Sequence, residues 1–258
     1  MKISVCGKGG SGKSTIVSLM ANAASQRGFH VLVVDSDESN SGLFRILGFD
    51  QPPVPLMEYL GGRKGLKEKM SNPNILAESD ILIDNIPQQH ILKKDGLRLV
   101  SIGKILQSLE GCACPMGVLS REFLKKLKLK KDEMVIVDTE AGVEHFGRGV
   151  EASLDSVLIV VEPSFESLEL AARINGLANG IGIKNIWTIL NKVPSQEIAF
   201  KLETELARRS IKTFGCIHQD AEVFSAILEG TTIKAGKASQ EIADILNHIL
   251  DETSPIPS

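Results

Sequence analysis

The residues best suited to chemistry stand near the start of the chain, in the stretch CGKGGSGKST at positions 6–15. From Gly7 to Ser14 it fits the pattern G-x-x-x-x-G-K-[ST], between an apolar strand and a helical pattern. Glycines let the backbone curl so that several N–H groups point at phosphate oxygens, and a helix N-terminus adds positive partial charge. The stretch therefore predicts a loop that binds the phosphates of a nucleoside triphosphate.

Side-chain chemistry predicts individual roles within this loop. Lys13 is expected to reach the β- and γ-phosphates of ATP, and the Ser14 hydroxyl is expected to bind Mg²⁺. The other loop residues expected to contact ATP or ADP are Gly7, Lys8, Gly9, Gly10, Ser11, Gly12 and Thr15.

Acidic and amide side chains follow three later strand patterns. Asp138, after MVIV, is expected to hold a water of the Mg²⁺ shell, and the N–H of Gly142 to contact the γ-phosphate. Asp35 and Asp37 lie at the end of another strand pattern, in the stretch VVDSD. Asp35 is expected to support the Mg²⁺ shell or the loop, or alternatively to be only a turn residue. The amide of Asn191, at the end of another strand, suits the edge of adenine.

Two cysteines lie one residue apart in the stretch GCACPMG. A tetrahedral metal ion needs four ligands, and the thiolates of Cys112 and Cys114 supply half of them. A two-fold dimer presents the same turn twice, so two copies would complete the set. Pro115 suits the first turn of a helix, whose dipole favours thiolate. Structural cysteines and a redox pair are the alternatives. Cys6 and Cys216 are expected to be buried apolar residues.

The elements that must position these residues alternate between short apolar runs and longer helical patterns. The runs are continuously apolar, as in parallel strands covered on both faces. We therefore expect an α/β fold, a doubly wound and mostly parallel sheet with helices on both faces. The expected strands lie at 3–5, 30–35, 97–103, 134–138, 156–162, 185–191 and 211–217. The stretch 81–96 is expected to form a hairpin or an excursion at the sheet edge.

Composition limits the class of protein. The 258 residues, 43% hydrophobic and 24% charged, suit one domain over 1–258 with a frayed tail at about 252–258. A net charge of -3 argues against nucleic-acid binding. No apolar stretch is long enough for a signal peptide or a membrane span, so we expect a cytoplasmic protein with reduced thiols and no membrane partner.

A resemblance to a known family rests on a further lysine of the loop, Lys8, which precedes Lys13. The form K-G-G-x-G-K-[ST] resembles the deviant Walker A motif of the MinD, ParA and nitrogenase iron-protein group of ATPases, whose P-loop fold it implies. In that group the early lysine crosses a dimer interface to the partner's nucleotide, and the second acid of D-x-D lies near the attacking water. The resemblance thus implies slow, dimer-coupled ATP hydrolysis, with Lys8, Lys13, Asp37 and Asp138 as catalytic residues.

A narrower resemblance rests on GCACP and on VDTEAGVEHFGRG at 137–149. Together with the motifs above, these stretches look like the carbon monoxide dehydrogenase maturation ATPases, the CooC family. That resemblance implies a homodimer that holds Zn²⁺ or Ni²⁺ at the interface through Cys112 and Cys114. It also implies assistance in nickel insertion, with carbon monoxide dehydrogenase as the client.

Two other functions are compatible with the phosphate-binding loop. One is a positioning ATPase of the ParA/MinD type without a metal, which the C-x-C turn and the lack of a basic amphipathic tail disfavour. The other is an iron–sulfur electron-transfer ATPase like the nitrogenase iron protein. Its cluster cysteines come from two distant positions, whereas here they are nearly adjacent.

Overall fold

The computed structural model describes residues 1–69, 75–104 and 114–253, without the side chain of Cys114. Its strands are β1 (Lys2–Gly7), β2 (His30–Asp35), β3 (Ile81–Leu82), β4 (Leu92–Lys94), β5 (Leu97–Ser101), β6 (Leu127–Lys128), β7 (Glu133–Asp138), β8 (Ser156–Val161), β9 (Asn185–Val193) and β10 (Thr213–His218).

The α-helices are α1 (Lys13–Gln26), α2 (Leu43–Ile46), α3 (Leu56–Tyr59), α4 (Gly62–Lys69), α5 (Cys114–Lys126), α6 (Glu144–Gly147), α7 (Phe165–Gly180), α8 (Gln196–Arg208), α9 (Ala221–Glu229) and α10 (Lys237–Thr253). Short 3₁₀ helices span Ile83–Asn85, Gln88–His90 and Glu151–Ser153.

The main sheet has eight strands in the order β10-β9-β8-β1-β7-β2-β5-β4. All neighbouring strands in it run parallel except β4 and β5. β3 and β6 form a separate two-stranded parallel sheet. The doubly wound, mostly parallel sheet expected from the apolar runs is thus confirmed, and each of those runs contributes a strand.

Both faces of the sheet are buried, which explains why its strands are continuously apolar. Side chains alternate in direction along β2: Val31 and Val33 join a core with α1 and α10, whereas Leu32 and Val34 join a core with α5. A third core, on the same face as α5, packs α7 and α8 against β8 and β9. Helices therefore cover both faces of the sheet.

The stretch before β5 forms a hairpin. β4 pairs antiparallel with β5, and the turn between them contains Asp95 at φ 48° and Gly96 at φ 80°. Positive φ at both central residues is typical of the tight hairpin turn for which Asp-Gly is preferred. The prediction for 81–96 is confirmed, because this hairpin places β4 at the edge of the sheet.

The carboxyl ends of the central strands define where a ligand can bind. β1 and β7 are neighbours in the sheet; the chain runs from β1 to β2 on one side and from β7 to β8 on the other, so a topological switch point lies between the ends of β1 and β7. Among the described residues, no helix is long and apolar enough to cross a membrane. The predicted tail overlaps the end of α10 at Thr253, and 254–258 lie outside the described residues.

Candidate nucleotide site

The phosphate-binding loop leaves β1 at Gly7 and enters α1 at Lys13, as the motif predicts. Two of its glycines have no room for a side chain. A Cβ on Gly7 would lie 2.5 Å from the carbonyl oxygen of Val160, and a Cβ on Gly12, at φ 93°, would lie 2.4 Å from the amide nitrogen of Asn191. The loop therefore depends on glycine for close backbone approach as well as for its positive φ.

Lys13 and Asn191 both bind the loop itself. The Lys13 ammonium is buried and lies 3.3 Å from the carbonyl oxygen of Lys8, so it extends back over the loop. The Asn191 amide donates to the carbonyl oxygen of Ser11 at 2.8 Å. Asn191 therefore steadies the loop in this structure, and its adenine contact remains a prediction.

The residues expected at Mg²⁺ come together at the carboxyl ends of β1 and β7. The Ser14 hydroxyl donates to Oδ2 of Asp138 at 2.6 Å and accepts from the Asn40 side-chain amide at 2.7 Å. The other carboxylate oxygen of Asp138, Oδ1, is buried without a hydrogen-bond partner among the described residues. An all-oxygen donor set with a free buried oxygen fits Mg²⁺, which would neutralise phosphate charge when bound.

Two of the buried acids at this edge of the sheet have raised pKa values. Burial, reinforced by the neighbouring Asp35 charge, raises the pKa of Asp138 to about 7. Burial likewise raises the pKa of Asp35 to about 6, although Lys104 lies 2.7 Å from its Oδ2 and opposes the shift. A cation at the Asp138 carboxylate would reverse this shift, because it favours the charged form.

The loop that follows β2, residues 37–40, is held by Asp37 and Lys104. Oδ1 of Asp37 accepts from the backbone N–H of Ser39 at 2.9 Å and from its hydroxyl at 2.6 Å. The Lys104 ammonium donates to the carbonyl oxygens of Asp37 and Asn40. We call residues 36–40 the acid loop. Lys104 thus fastens the acid loop to Asp35, which suits the loop-supporting role predicted for Asp35.

Lys8 is paired within its own chain. Its ammonium lies 2.9 Å from Oε1 of Glu162, just after β8, and this contact raises the pKa of Lys8. Lys192 lies 3.8 Å from the other oxygen of Glu162 and donates to the carbonyl oxygen of Gly10. The Lys8 side chain remains 35% exposed, so it can exchange Glu162 for another anion without rearrangement of the core.

The segment after Asp138 contacts the phosphate-binding loop directly. The N–H of Gly142 donates to the carbonyl oxygen of Gly7 at 3.3 Å, and Gly142 adopts φ 95°. The predicted contact of this N–H with the γ-phosphate stays a prediction. Gly142 is nonetheless where that prediction needs it, beside the loop that is expected to hold the phosphates.

Comparison with known proteins places this geometry in a family. The model of the CobQ/CobB/MinD/ParA nucleotide-binding domain matches residues 3–233. The chain belongs to the CobQ/CobB/MinD/ParA nucleotide-binding family. The solved MinD of Pyrococcus horikoshii in complex with Mg-ADP has the same fold, with a TM-score of 0.74, 19% identity, and coverage of 96% of this chain and 95% of that one.

Curated relatives within this family are closer in sequence. The uncharacterised ATP-binding protein MJ0084 of Methanocaldococcus jannaschii is 44% identical over 251 residues, 95% of this chain and 98% of the relative. The carbon monoxide dehydrogenase accessory protein CooC of Rhodospirillum rubrum is 36% identical over 208 residues, 79% of each chain. The protein is therefore an ATPase of the MinD/ParA type, and the accessory protein CooC is one of its homologues.

Some side chains of this MinD/ParA-type site were missed by the sequence analysis. Lys104, Asn40, Glu162 and Lys192 carry no local pattern that distinguishes them from surface residues. Lys104 lies 67 positions beyond Asp37 in the chain. Only the fold, and not the sequence, shows that it reaches the two acids. Of the predicted cysteine pair, Cys112 lies outside the described residues, and α5 begins at Cys114.

The raised pKa of Asp138 predicts how pH affects Mg²⁺-dependent nucleotide binding. Below about pH 7 the folded protein holds a proton on Asp138 that Mg²⁺ must displace, so affinity is full above that pH and lost as pH falls. We expect Mg-ADP to bind up to about tenfold more weakly per pH unit below 7 for each proton displaced. Calorimetric titration with Mg-ADP between about pH 5.5 and pH 8 measures this.

The control is ADP titrated without Mg²⁺, whose affinity should change less over the same range. In Asp138→Asn the Mg²⁺-dependent gain in affinity and its pH dependence should disappear together. A wild-type Mg²⁺ effect of equal size at pH 6 and pH 8 would contradict the assignment of Asp138 to the Mg²⁺ site.

Proposed function

We propose that this protein is a cytoplasmic, homodimeric Mg-ATPase, one domain over 1–258, that carries a metal cargo and assists nickel insertion into carbon monoxide dehydrogenase. The observation that carries the proposal is the 36% identity, over 79% of each chain, to a carbon monoxide dehydrogenase accessory protein. The C-x-C turn of this chain adds thiolate chemistry that nucleotide binding does not need. No nucleic acid or membrane takes part.

In the proposed cycle, each nucleotide-site residue has a defined task. Lys13 and the loop N–H groups bind the β- and γ-phosphates, and Asp138 with Ser14 would hold Mg²⁺, which neutralises phosphate charge. Asp37 orients the attacking water and accepts its hydrogen bond. Lys8 leaves Glu162 and contacts the partner's phosphates, where it neutralises charge that develops during transfer. Hydrolysis then removes the γ-phosphate that favoured the dimer.

The cargo site follows from a count of ligands. Cys112 and Cys114 offer two sulfurs per chain, whereas a tetrahedral Zn²⁺ or Ni²⁺ site takes four ligands. Two turns that face each other across a two-fold axis supply four sulfurs. A metal held in this way stabilises the dimer, and ATP, which acts at the same interface, changes the affinity for metal. Linkage requires that metal changes the affinity for ATP equally.

Metal content and oligomeric state together test this proposal. We expect one ion per dimer that depends on Cys112 and Cys114, and no such ion on the monomer. Cys112→Ser or Cys114→Ser should lose that ion and keep ATP binding, because the phosphate site is built from other segments. Mass spectrometry of metals, combined with light scattering with and without ATP, measures both quantities. Cys216→Ser is the matched control and should retain the ion.

Two outcomes point to the other members of the family. Dimerisation with ATP that is insensitive to both cysteine replacements, and to added metal, would favour a positioning ATPase of the ParA/MinD type. A brown protein with iron–sulfur absorbance that requires Cys112 and Cys114 would favour an electron-transfer ATPase. Either result would remove metal delivery from the proposed function while leaving ATP hydrolysis in place.

A further inference from the structure

A second cluster of chemically active side chains lies behind the phosphate-binding loop. It joins Cys6 on β1, His145 on α6 and Glu151 on the 3₁₀ helix Glu151–Ser153. All three residues are buried, and one ligand atom from each lies within 4.8 Å of the others. None of the three takes part in the proposed binding or hydrolysis of ATP.

The contacts within this cluster leave polar atoms unused. Nδ1 of His145 pairs with Oε1 of Glu151, and the Ser4 hydroxyl lies 3.2 Å from the Cys6 sulfur and 3.5 Å from the same carboxylate oxygen. Nε2 of His145 and Oε2 of Glu151 are buried without a hydrogen-bond partner among the described residues. Buried nitrogen and oxygen atoms of this kind are normally paired, so these two indicate a missing partner.

We propose that Cys6, His145 and Glu151 bind one divalent cation of the zinc class in each chain. Thiolate, imidazole and carboxylate are the three ligand types that Zn²⁺ accepts in proteins. The charges also balance, because a thiolate and a carboxylate together neutralise a divalent ion while histidine stays neutral. The Ser4 hydroxyl or a water is available for the fourth position.

Binding requires one proton to leave. The Cys6 thiol must give up its proton to solvent as the sulfur–metal bond forms, and burial among apolar residues disfavours a free thiolate there. A bound divalent cation supplies the charge that makes the thiolate stable. Since the site is buried, we expect the ion to enter while the protein folds and then to exchange slowly.

Such an ion would connect two parts of the nucleotide site. Cys6 directly precedes Gly7, where the phosphate-binding loop begins, and His145 lies on the helix that follows Gly142. A shared ion therefore fixes the segment after Asp138 against the strand that carries the loop. The site lies within one chain, in contrast to the cysteine-turn site proposed between two chains, and it does not depend on that proposal.

The test begins from Cys112→Ser/Cys114→Ser, which removes the other thiolate pair. We expect this double variant, produced with Zn²⁺ in the medium and dialysed, to hold about one Zn²⁺ per chain as a monomer. Adding Cys6→Ala should lower the affinity for Zn²⁺ at least about 100-fold, since loss of a direct ligand exceeds the 10–100-fold typical of supporting residues. Adding Cys216→Ala instead is the matched control and should leave Zn²⁺ content unchanged.

Two further measurements keep the proposal falsifiable. The Co²⁺-loaded double variant should show thiolate-to-metal charge-transfer absorption that Cys6→Ala abolishes. Should Cys6→Ala fail to bind ADP and so prove misfolded, Glu151→Gln replaces it and should lower the affinity for Zn²⁺ at least about tenfold. A folded double variant without Zn²⁺, or one whose Zn²⁺ survives both replacements, overturns the proposal and leaves a hydrogen-bonded His145–Glu151 pair without a metal.

Discussion

Lys8→Ala is expected to bind ATP normally and to hydrolyse it at least about 10³-fold more slowly. The size follows from the 10³–10⁵-fold contribution of cationic groups that reach a transferring phosphoryl group from a partner. Binding should survive because Lys8 pairs with Glu162, after β8, and not with the buried part of the loop. Single-turnover phosphate release at saturating ATP, combined with a nucleotide titration, separates the two effects.

The matched variant is Lys13→Ala, in the same loop. Its ammonium is buried over the loop, so its removal leaves phosphate charge unpaired and nucleotide affinity should fall at least about 100-fold. The contrast between the two lysines is the diagnostic result. If Lys8→Ala hydrolyses ATP at the normal rate, the lysine does not act across a dimer, and the loop is an ordinary phosphate-binding loop.

Asp37→Asn is expected to bind ATP and to lower turnover by about 10²–10⁴-fold, the range of general acid–base catalysis. Asparagine keeps the Oδ1 acceptor that holds Ser39, so the acid loop should retain its shape while it loses the negative charge. The variant should accumulate as an ATP-bound dimer. Light scattering after gel filtration with ATP measures this accumulation, and phosphate release measures turnover.

Unchanged turnover in Asp37→Asn would remove Asp37 from the mechanism and direct attention to Glu140. Burial and the Glu38 charge raise the pKa of Glu140 to about 7, and Arg148 pairs with its carboxylate. A carboxyl group with that pKa is suited to exchange protons near neutral pH. Glu140→Gln, with the same two measurements, would then distinguish a replacement base from a structural ion pair.

The parts of the fold that sequence predicts well are those set by local patterns. β2, β7 and β8 were predicted because a strand buried on both faces must be apolar at nearly every position. The loop from Gly7 to Ser14 was predicted because close backbone approach to phosphate leaves few residue choices besides glycine. The short helices α2 and α3, of four residues each, were not predicted, since one turn gives too little helical periodicity.

The contacts that hold the site together join residues that are far apart in the sequence, so local patterns do not predict them. Lys8 and Glu162 are 154 positions apart, and Cys6 and His145, which the fold brings within 4.8 Å of each other, lie on elements far apart in the chain. Such pairs depend on the order of strands in the sheet, and single residues at strand ends carry no period that would reveal them. For the same reason the sequence did not predict the hydrogen bond from the Asn191 amide to the Ser11 carbonyl oxygen, and the adenine contact of Asn191 stays a prediction.

Lys104 has a geometric consequence for the cysteine turn. It holds both Asp35 and the acid loop, and only seven residues, 105–111, separate it from Cys112. Eight residue steps span at most about 28 Å when fully extended, so chain length alone keeps Cys112 within about 28 Å of the lysine that holds the acid loop. In a dimer docked through the nucleotide edges, this short connection would let the two cysteine turns approach each other across the same interface.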